Sequence, residues 1–281
     1  MKMECLCVAG SGRMNEDAYV TNQTKHLFAV VDGVSSLVPY ENADGLTGGA
    51  IAAQIVKEHL EEENGEQSLP ELLAAANERL YACMRNDRIN LEKKEALWGA
   101  ACAIVRVEDK FIDYAQTGDC MIFAVYADDT VRPLTHPQVS HLEQAAFAKW
   151  ESCISAGIRQ HSELMEHCRD ILISNRYQAN TEGGYGVLNG ESACPDFIES
   201  GRINRTQLRA LVLLTDGLFM PRPYGGAEPR WEETVIPIVH KGLQRYADDL
   251  ITLENSDPEC VRYVRFKKSD DKTGIVLHLS E

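Results

Sequence analysis

No uncharged run in this sequence approaches the ~18 residues that a membrane-spanning helix requires, so none is expected. Basic residues are scarce beside acidic ones, 28 Lys and Arg against 43 Asp and Glu. The resulting formal charge of -15 argues against nucleic acid or an anionic membrane as a standing partner, because both need a basic face to displace counterions or meet headgroups. A phosphorylated ligand is repelled as well, unless bound cations reverse the sign locally. The nine cysteines contain no Cys-x-x-Cys pair, and Cys102 and Cys120 lie within strand-like apolar runs. Buried free thiols in a reducing compartment account for them better than disulfides or zinc. Glu4 stands where a signal peptide needs its apolar stretch, which makes a cytoplasmic location the expectation. No repeat, low-complexity tract or Pro/Gly/Ser-rich linker divides residues 1–281, and a single domain is the simplest description.

What is present reads as alternating sheet and helix. Residues 3–9, 17–21 and 27–32 read as strands, the last of them a continuous apolar run suited to burial on both faces. The spacing of Ile51, Ile55, Val56 and Leu60 predicts a helix over about 46–63. A second is predicted over 69–87, with Ser68 as N-cap and Glu71 as its capping-box partner. Strand-like runs at 98–107, 111–117, 121–126 and 131–134 have no room for crossover helices between them, which predicts an antiparallel meander. Residues 137–176 are helical by composition, and the strand 208–214, a helix over 230–252 and a closing strand 273–279 follow. The order predicts an α+β sandwich, with sheets packed together and helices outside.

Acidic residues recur at the ends of these strands. Asp32 and Asp216 each end a buried run and precede a glycine; Asp119 follows Gly118; Asp270 and Asp271 precede the last strand; Glu16 and Asp17 precede an early one. Any one of them reads most simply as a turn or a solvated strand end. Together, at the rim of a core, they would crowd like charges, and a divalent cation relieves that repulsion. Oxygen ligands without His or Cys select hard ions such as Mg²⁺ or Mn²⁺, and glycine after Asp32 lets a backbone carbonyl approach.

Asn15-Glu16-Asp17-Ala18, Val30-Val31-Asp32-Gly33, Thr117-Gly118-Asp119, Leu213-Leu214-Thr215-Asp216-Gly217 and Asp270-Asp271-Lys272-Thr273 occur in the order of the motifs of the protein phosphatase 2C (PPM-type) family, which the chain resembles from about residue 8 to 279. The resemblance implies a four-layer α-β-β-α sandwich of two mostly antiparallel sheets, with two Mn²⁺ or Mg²⁺ ions in a cleft at one end. It implies that Asp32 bridges both metals beside the Gly33 carbonyl, that Asp216 and Asp270 hold one metal, and that Glu16 serves the other. Asp17 then supports the site from behind, and Asp119 matches the aspartate of a third, weaker metal. The implied activity is hydrolysis of phosphoserine or phosphothreonine on a protein by water activated between the two metals, without a phosphoenzyme.

The chain also departs from the family pattern. Arg13 lies three residues before Glu16, where the family's phosphate-gripping arginine lies four before. Asp32-Gly33 continues as Val34-Ser35-Ser36, with the expected glycine pair delayed to Gly48-Gly49, and no histidine follows Asp32. Cys120-Met121 replaces the polar pair after Asp119. The 137–207 segment stands where relatives carry a variable flap beside the cleft. The displaced Arg13 and the unusual loop after Gly33 motivate a second reading, a catalytically weak or silent phosphatase-fold module that binds a partner or phosphorylated ligand. A haloacid dehalogenase-type phosphatase is disfavoured, because Val34 stands where a second acid belongs.

Overall fold

The computed structural model describes residues 2–34 and 37–279, so Ser35 and Ser36 lie outside the described residues. In chain order the first half comprises β1 (Lys2–Val8), β2 (Asp17–Asn22), β3 (Leu27–Val34), α1 (Gly48–Glu61), α2 (Leu69–Asn86), β4 (Gly99–Val107), β5 (Phe111–Thr117), β6 (Met121–Tyr126) and β7 (Val131–Pro133). The second half comprises α3 (Ser140–Ser155), α4 (His161–Arg176), β8 (Glu199–Asn204), β9 (Leu208–Leu214), β10 (Arg222–Pro223), α5 (Trp231–Lys241), α6 (Leu243–Asn255), β11 (Tyr263–Val264) and β12 (Lys272–His278). Two five-stranded antiparallel sheets, β1-β12-β9-β6-β7 and β2-β3-β4-β5-β8, face one another.

Alternation along the strands builds the layers. In β3, Phe28 and Val30 point between the sheets, while Leu27, Ala29 and Val31 pack beneath α1 and α2. In β9, Leu211 and Leu213 share the inter-sheet layer, while Ala210, Val212 and Leu214 pack against α5 and α6. A strand covered on both faces has no polar side to present, which is why residues 27–31 and 210–214 are continuously apolar. The result is the α-β-β-α sandwich. A smaller cluster around Trp150, Ile154, Leu164 and Cys168 joins α3 and α4 to the segment around Cys260 and Val264, outside the two main sheets.

The second helix starts as its capping box demands, with the Ser68 N–H donating to Glu71 Oε2 at 2.8 Å. Other expectations change. The strands at 99–133 form no single meander: β4 and β5 pair in one sheet, β6 and β7 in the other, because Gly118 adopts a left-handed φ of 73° and turns the chain across the gap. An added Cβ at Gly118 would strike the Ala101 side chain, so no other residue makes this turn without displacement. The helix expected over 230–252 is two helices broken at Gly242, φ 93°, where Glu4 Oε2 accepts the Leu243 N–H at 3.1 Å. The helical stretch over 137–176 likewise breaks near Gly157, φ 98°. Strand β8 carries no apolar pattern and is held by its pairing with β5, where Arg202 lies opposite Asp113 and donates to it at 2.6 and 2.9 Å.

Leu213 is fully buried between the sheets, opposite Ile122 and Ile275. Leu213→Ala is expected to lower unfolding free energy by about 3 kcal/mol, measured by urea denaturation at constant m-value.

Candidate metal-dependent active site

The registers put every acidic motif at the same end of the sandwich. Asp17 opens β2 directly opposite Asp32 near the end of β3. Asp119 sits in the turn between the end of β5 and the start of β6, Asp216 follows the end of β9, and Asp270 precedes β12. Like charges placed directly opposite on neighbouring strands repel. Burial first, then Asp17, Asp216, Asp119 and Asp270, push the Asp32 carboxyl well above the ordinary carboxylate range. Burial and then Asp270 and Asp119 do the same to Asp216. Asp119 is raised by burial and by Asp270 against the pull of its own backbone N–H. Asp17 is raised to about 7 by burial, against the Thr215 hydroxyl that favours its anion.

The surroundings hold these groups in place. Thr215 Oγ1 donates to Asp17 Oδ2 at 2.8 Å and accepts the Thr273 N–H at 2.9 Å, tying β9, β12 and β2 together. Asp271 accepts the backbone N–H groups of Gly10 at 2.8 Å and Glu16 at 2.7 Å, so it anchors the loop that carries Glu16. Thr47, the N-cap of α1, donates to Glu16 Oε1. A Cβ on Gly33 would clash with the carbonyl oxygens of Glu16 and Gly49, and one on Gly49 would stand 2.8 Å from the Glu16 carboxyl carbon. The displaced glycine pair thus lets the start of α1 close on Glu16 across a longer loop.

Among the described residues, no three acidic, histidine or cysteine side chains already stand as a ready-made metal cage. The donors nonetheless fit hard cations. They are carboxylates, of which Asp17, Asp32, Asp119 and Asp216 are raised in pKa by burial and neighbouring acids, and Asp216 Oδ1 is buried without a hydrogen-bond partner among the described residues. The Lys267 ammonium is drawn to the cluster, donating to Asp270 Oδ1 at 2.6 Å. Burial alone would lower its pKa, and the charges of Asp270, Asp32 and Asp216 outweigh that and raise it.

Arg13 lines the same cleft of about 570 Å³ as Glu16, Lys267 and Asp270. Its guanidinium pairs with Glu41 of the loop before α1, engaging both carboxylate oxygens, one of them at 3.2 Å. Tyr40, beside Glu41, is fixed by packing on Trp98 (centroids 4.8 Å apart) and by donating to Asp87 at 2.7 Å.

The description "Protein phosphatase 2C" belongs to the family model that matches residues 9–249. The chain belongs to the protein phosphatase 2C family. No curated protein matches it in sequence. Solved structures similar to it include a bacterial serine phosphatase (TM-score 0.60, 17% identity, covering 100% of this chain and 98% of that one). The serine/threonine phosphatase Stp1 from Staphylococcus aureus aligns with TM-score 0.58 and 16% identity over 100% of this chain and 95% of that one. The catalytic domain of PstP in complex with two manganese ions aligns with TM-score 0.58 and 16% identity over 100% and 98%. At such identities the likeness is one of fold.

Within this phosphatase 2C frame, the sequence motifs bring Asp17, Asp32, Asp119, Asp216 and Asp270 within electrostatic reach of one another. Motif reading overlooked Thr47, Lys267 and Glu143. Thr47 follows an N-cap rule that was not applied to α1. Lys267 lies three residues before Asp270, and nothing in its local sequence marks it. Glu143, on α3, is raised to about 7 by burial, Asp119 and Glu228, a setting only the tertiary fold creates.

A carboxylate whose folded pKa is raised stabilises the fold fully below its unfolded pKa and loses that contribution as pH rises through the folded value. For Asp17 the window runs from 3.8 to about 7. Without metal, Asp17→Asn is therefore expected to melt above wild type at pH 7, the gap closing toward pH 4. Calorimetric Tm values across that range check it.

Proposed function

We propose that this chain is a metal-dependent phosphoprotein phosphatase that hydrolyses phosphoserine or phosphothreonine. The observation that carries the reading is the convergence of Asp32, Asp216, Asp119 and Asp270 at one end of the sandwich, the first three raised in pKa by burial and by neighbouring acids, with an anchored Glu16 beside them. Asp32, Glu16, Asp216 and Asp270 would hold two Mn²⁺ or Mg²⁺ ions, the Gly33 carbonyl lies beside Asp32, and Asp119 would hold a third ion. Bound there, the cations supply Lewis-acid activation of water and neutralise phosphoryl oxygens. That PstP was solved with two manganese ions supports the choice of metal.

The protein's own groups do the positioning. Thr47 and Gly49 fix the Glu16 carboxylate, Thr215 orients Asp17 behind Asp32, and Asp271 holds the Gly10–Glu16 loop against the start of β12. Arg13 presents a planar fork suited to two phosphate oxygens, at present filled by the Glu41 carboxylate. Both side chains of that pair are well exposed, 78% and 41%, and exposed ion pairs are weak, about 0–1 kcal/mol. A substrate phosphate can therefore displace Glu41 at little cost. The same pair is the observation that favours a silent binding module, in which Arg13 stays closed.

Mn²⁺-dependent phosphate release from p-nitrophenyl phosphate and from a phosphothreonine peptide separates the two readings. Asp32→Asn is expected to lower the rate by about 100-fold or more. Tight peptide binding without turnover in saturating Mn²⁺ would establish the silent module. Arg13→Ala is expected to raise KM about tenfold with little change in kcat, and Glu41→Gln to lower KM, as read from initial-rate kinetics.

A further inference from the structure

From Asp119, Asp216 and Asp270 the cleft continues as a groove of about 550 Å³, within the range of about 300–1,000 Å³ typical of ligand sites. One wall is α3, with Glu143 and Phe147; the other is the segment after β9, with Phe219, Met220, Glu228 and Trp231. The apolar side chains are only partly buried, although Phe147 stacks on Phe266 at 4.5 Å and Phe219 meets Trp231 edge-on at 5.1 Å. The Arg222 guanidinium also lies 5.8 Å from the Phe147 ring and Phe123 5.1 Å from Trp231, so both rings are fixed by neighbours and line the groove with their partly buried remainder.

The groove's charges are unbalanced. Its cations are already engaged: Arg222 by Glu151 at 3.1 Å and Glu228 at 3.2 Å, Arg265 by Asp257 at 3.1 Å, and Lys267 by Asp270 at 2.6 Å. Among the described residues Glu143 has no cation and no hydrogen-bond donor at its carboxylate, only burial and the neighbouring Asp119 and Glu228 acting on it. One arginine serves both Glu151 and Glu228, so a second negative charge is left over. A cationic side chain entering here would lay its methylene stem along the partly buried Phe147 and Trp231 side chains and its charged head beside Glu143.

We infer that this groove binds the polypeptide flanking the phosphorylated residue and selects a segment carrying arginine or lysine beside a bulky apolar side chain, with Glu143 as the residue that meets the cation. The assignment rests on the phosphatase reading and specifies its substrate class. Acidic flanking segments are disfavoured by the same carboxylates.

The test compares two phosphothreonine peptides of equal length, one with arginine and leucine next to the phosphothreonine and the other with glutamate and leucine. Wild type in Mn²⁺ is expected to favour the basic peptide about tenfold in kcat/KM, Glu143→Gln to reduce that ratio at least about threefold, and Glu143→Lys to invert it. Each rate is read against p-nitrophenyl phosphate in the same preparation. Fluorescence anisotropy of both peptides on the Asp32→Asn protein gives the same comparison without turnover. Equal use of the two peptides by wild type, or a preference that Glu143→Lys leaves in place, overturns the inference. If wild type hydrolyses nothing, the phosphatase reading fails while anisotropy still decides the groove.

Discussion

The constraint on which the structure depends is the repulsion among carboxylates held at one end of a sheet sandwich. Antiparallel register leaves Asp17 no choice but to face Asp32, and the ends of β5, β9 and the start of β12 bring three more acids to the same rim. An apolar core of two fully covered sheets provides the rigidity that keeps them there. Without that support the side chains would swing apart into water, at no cost to the chain and with no site formed. The fold stores unfavourable electrostatics in one place, which is how binding and catalytic sites commonly trade against stability.

A second set of contacts keeps the rim in order. Lys272, almost fully buried, donates to Glu254, to Ser269 Oγ at 3.0 Å and to the Asp270 carbonyl at 2.9 Å, so the loop presenting Asp270 is tied into α6. Asp271 does the same for the loop carrying Glu16. Threonines 47 and 215 each spend a hydroxyl on one acid of the cluster. The acids belong to different elements, and Glu16 and Asp17 each accept a hydroxyl from another element that fixes them.

Much of this was legible in the sequence because the signals were local. The runs at 27–32 and 208–214 read as strands buried on both faces, and Ser68 with Glu71 marked the start of α2. The five motifs supplied the acids in order. What escaped reading was tertiary in origin. Strand β8 is held by its backbone pairing with β5 and by Ile203 in the inter-sheet core rather than by any apolar alternation along its length. The passage of the chain between sheets depends on the backbone conformation of Gly118, and the breaks at Gly157 and Gly242 depend on theirs. Gly48-Gly49 looked misplaced in sequence, yet α1 brings the pair against Glu16 and Trp98, where side chains have no room. Glu143 gave no sign at all, since a helix-surface glutamate becomes notable only when Asp119 and Glu228 face it.

The central claim is that these acids form a shared site for hard cations. Isothermal titration of the metal-free chain with Mn²⁺, run beside Asp32→Asn, tests it most directly. The account predicts saturable binding of two ions per chain that is lost or reduced to weak single-ion binding in the variant; wild type that takes up no manganese, or a variant that binds it equally well, would contradict it.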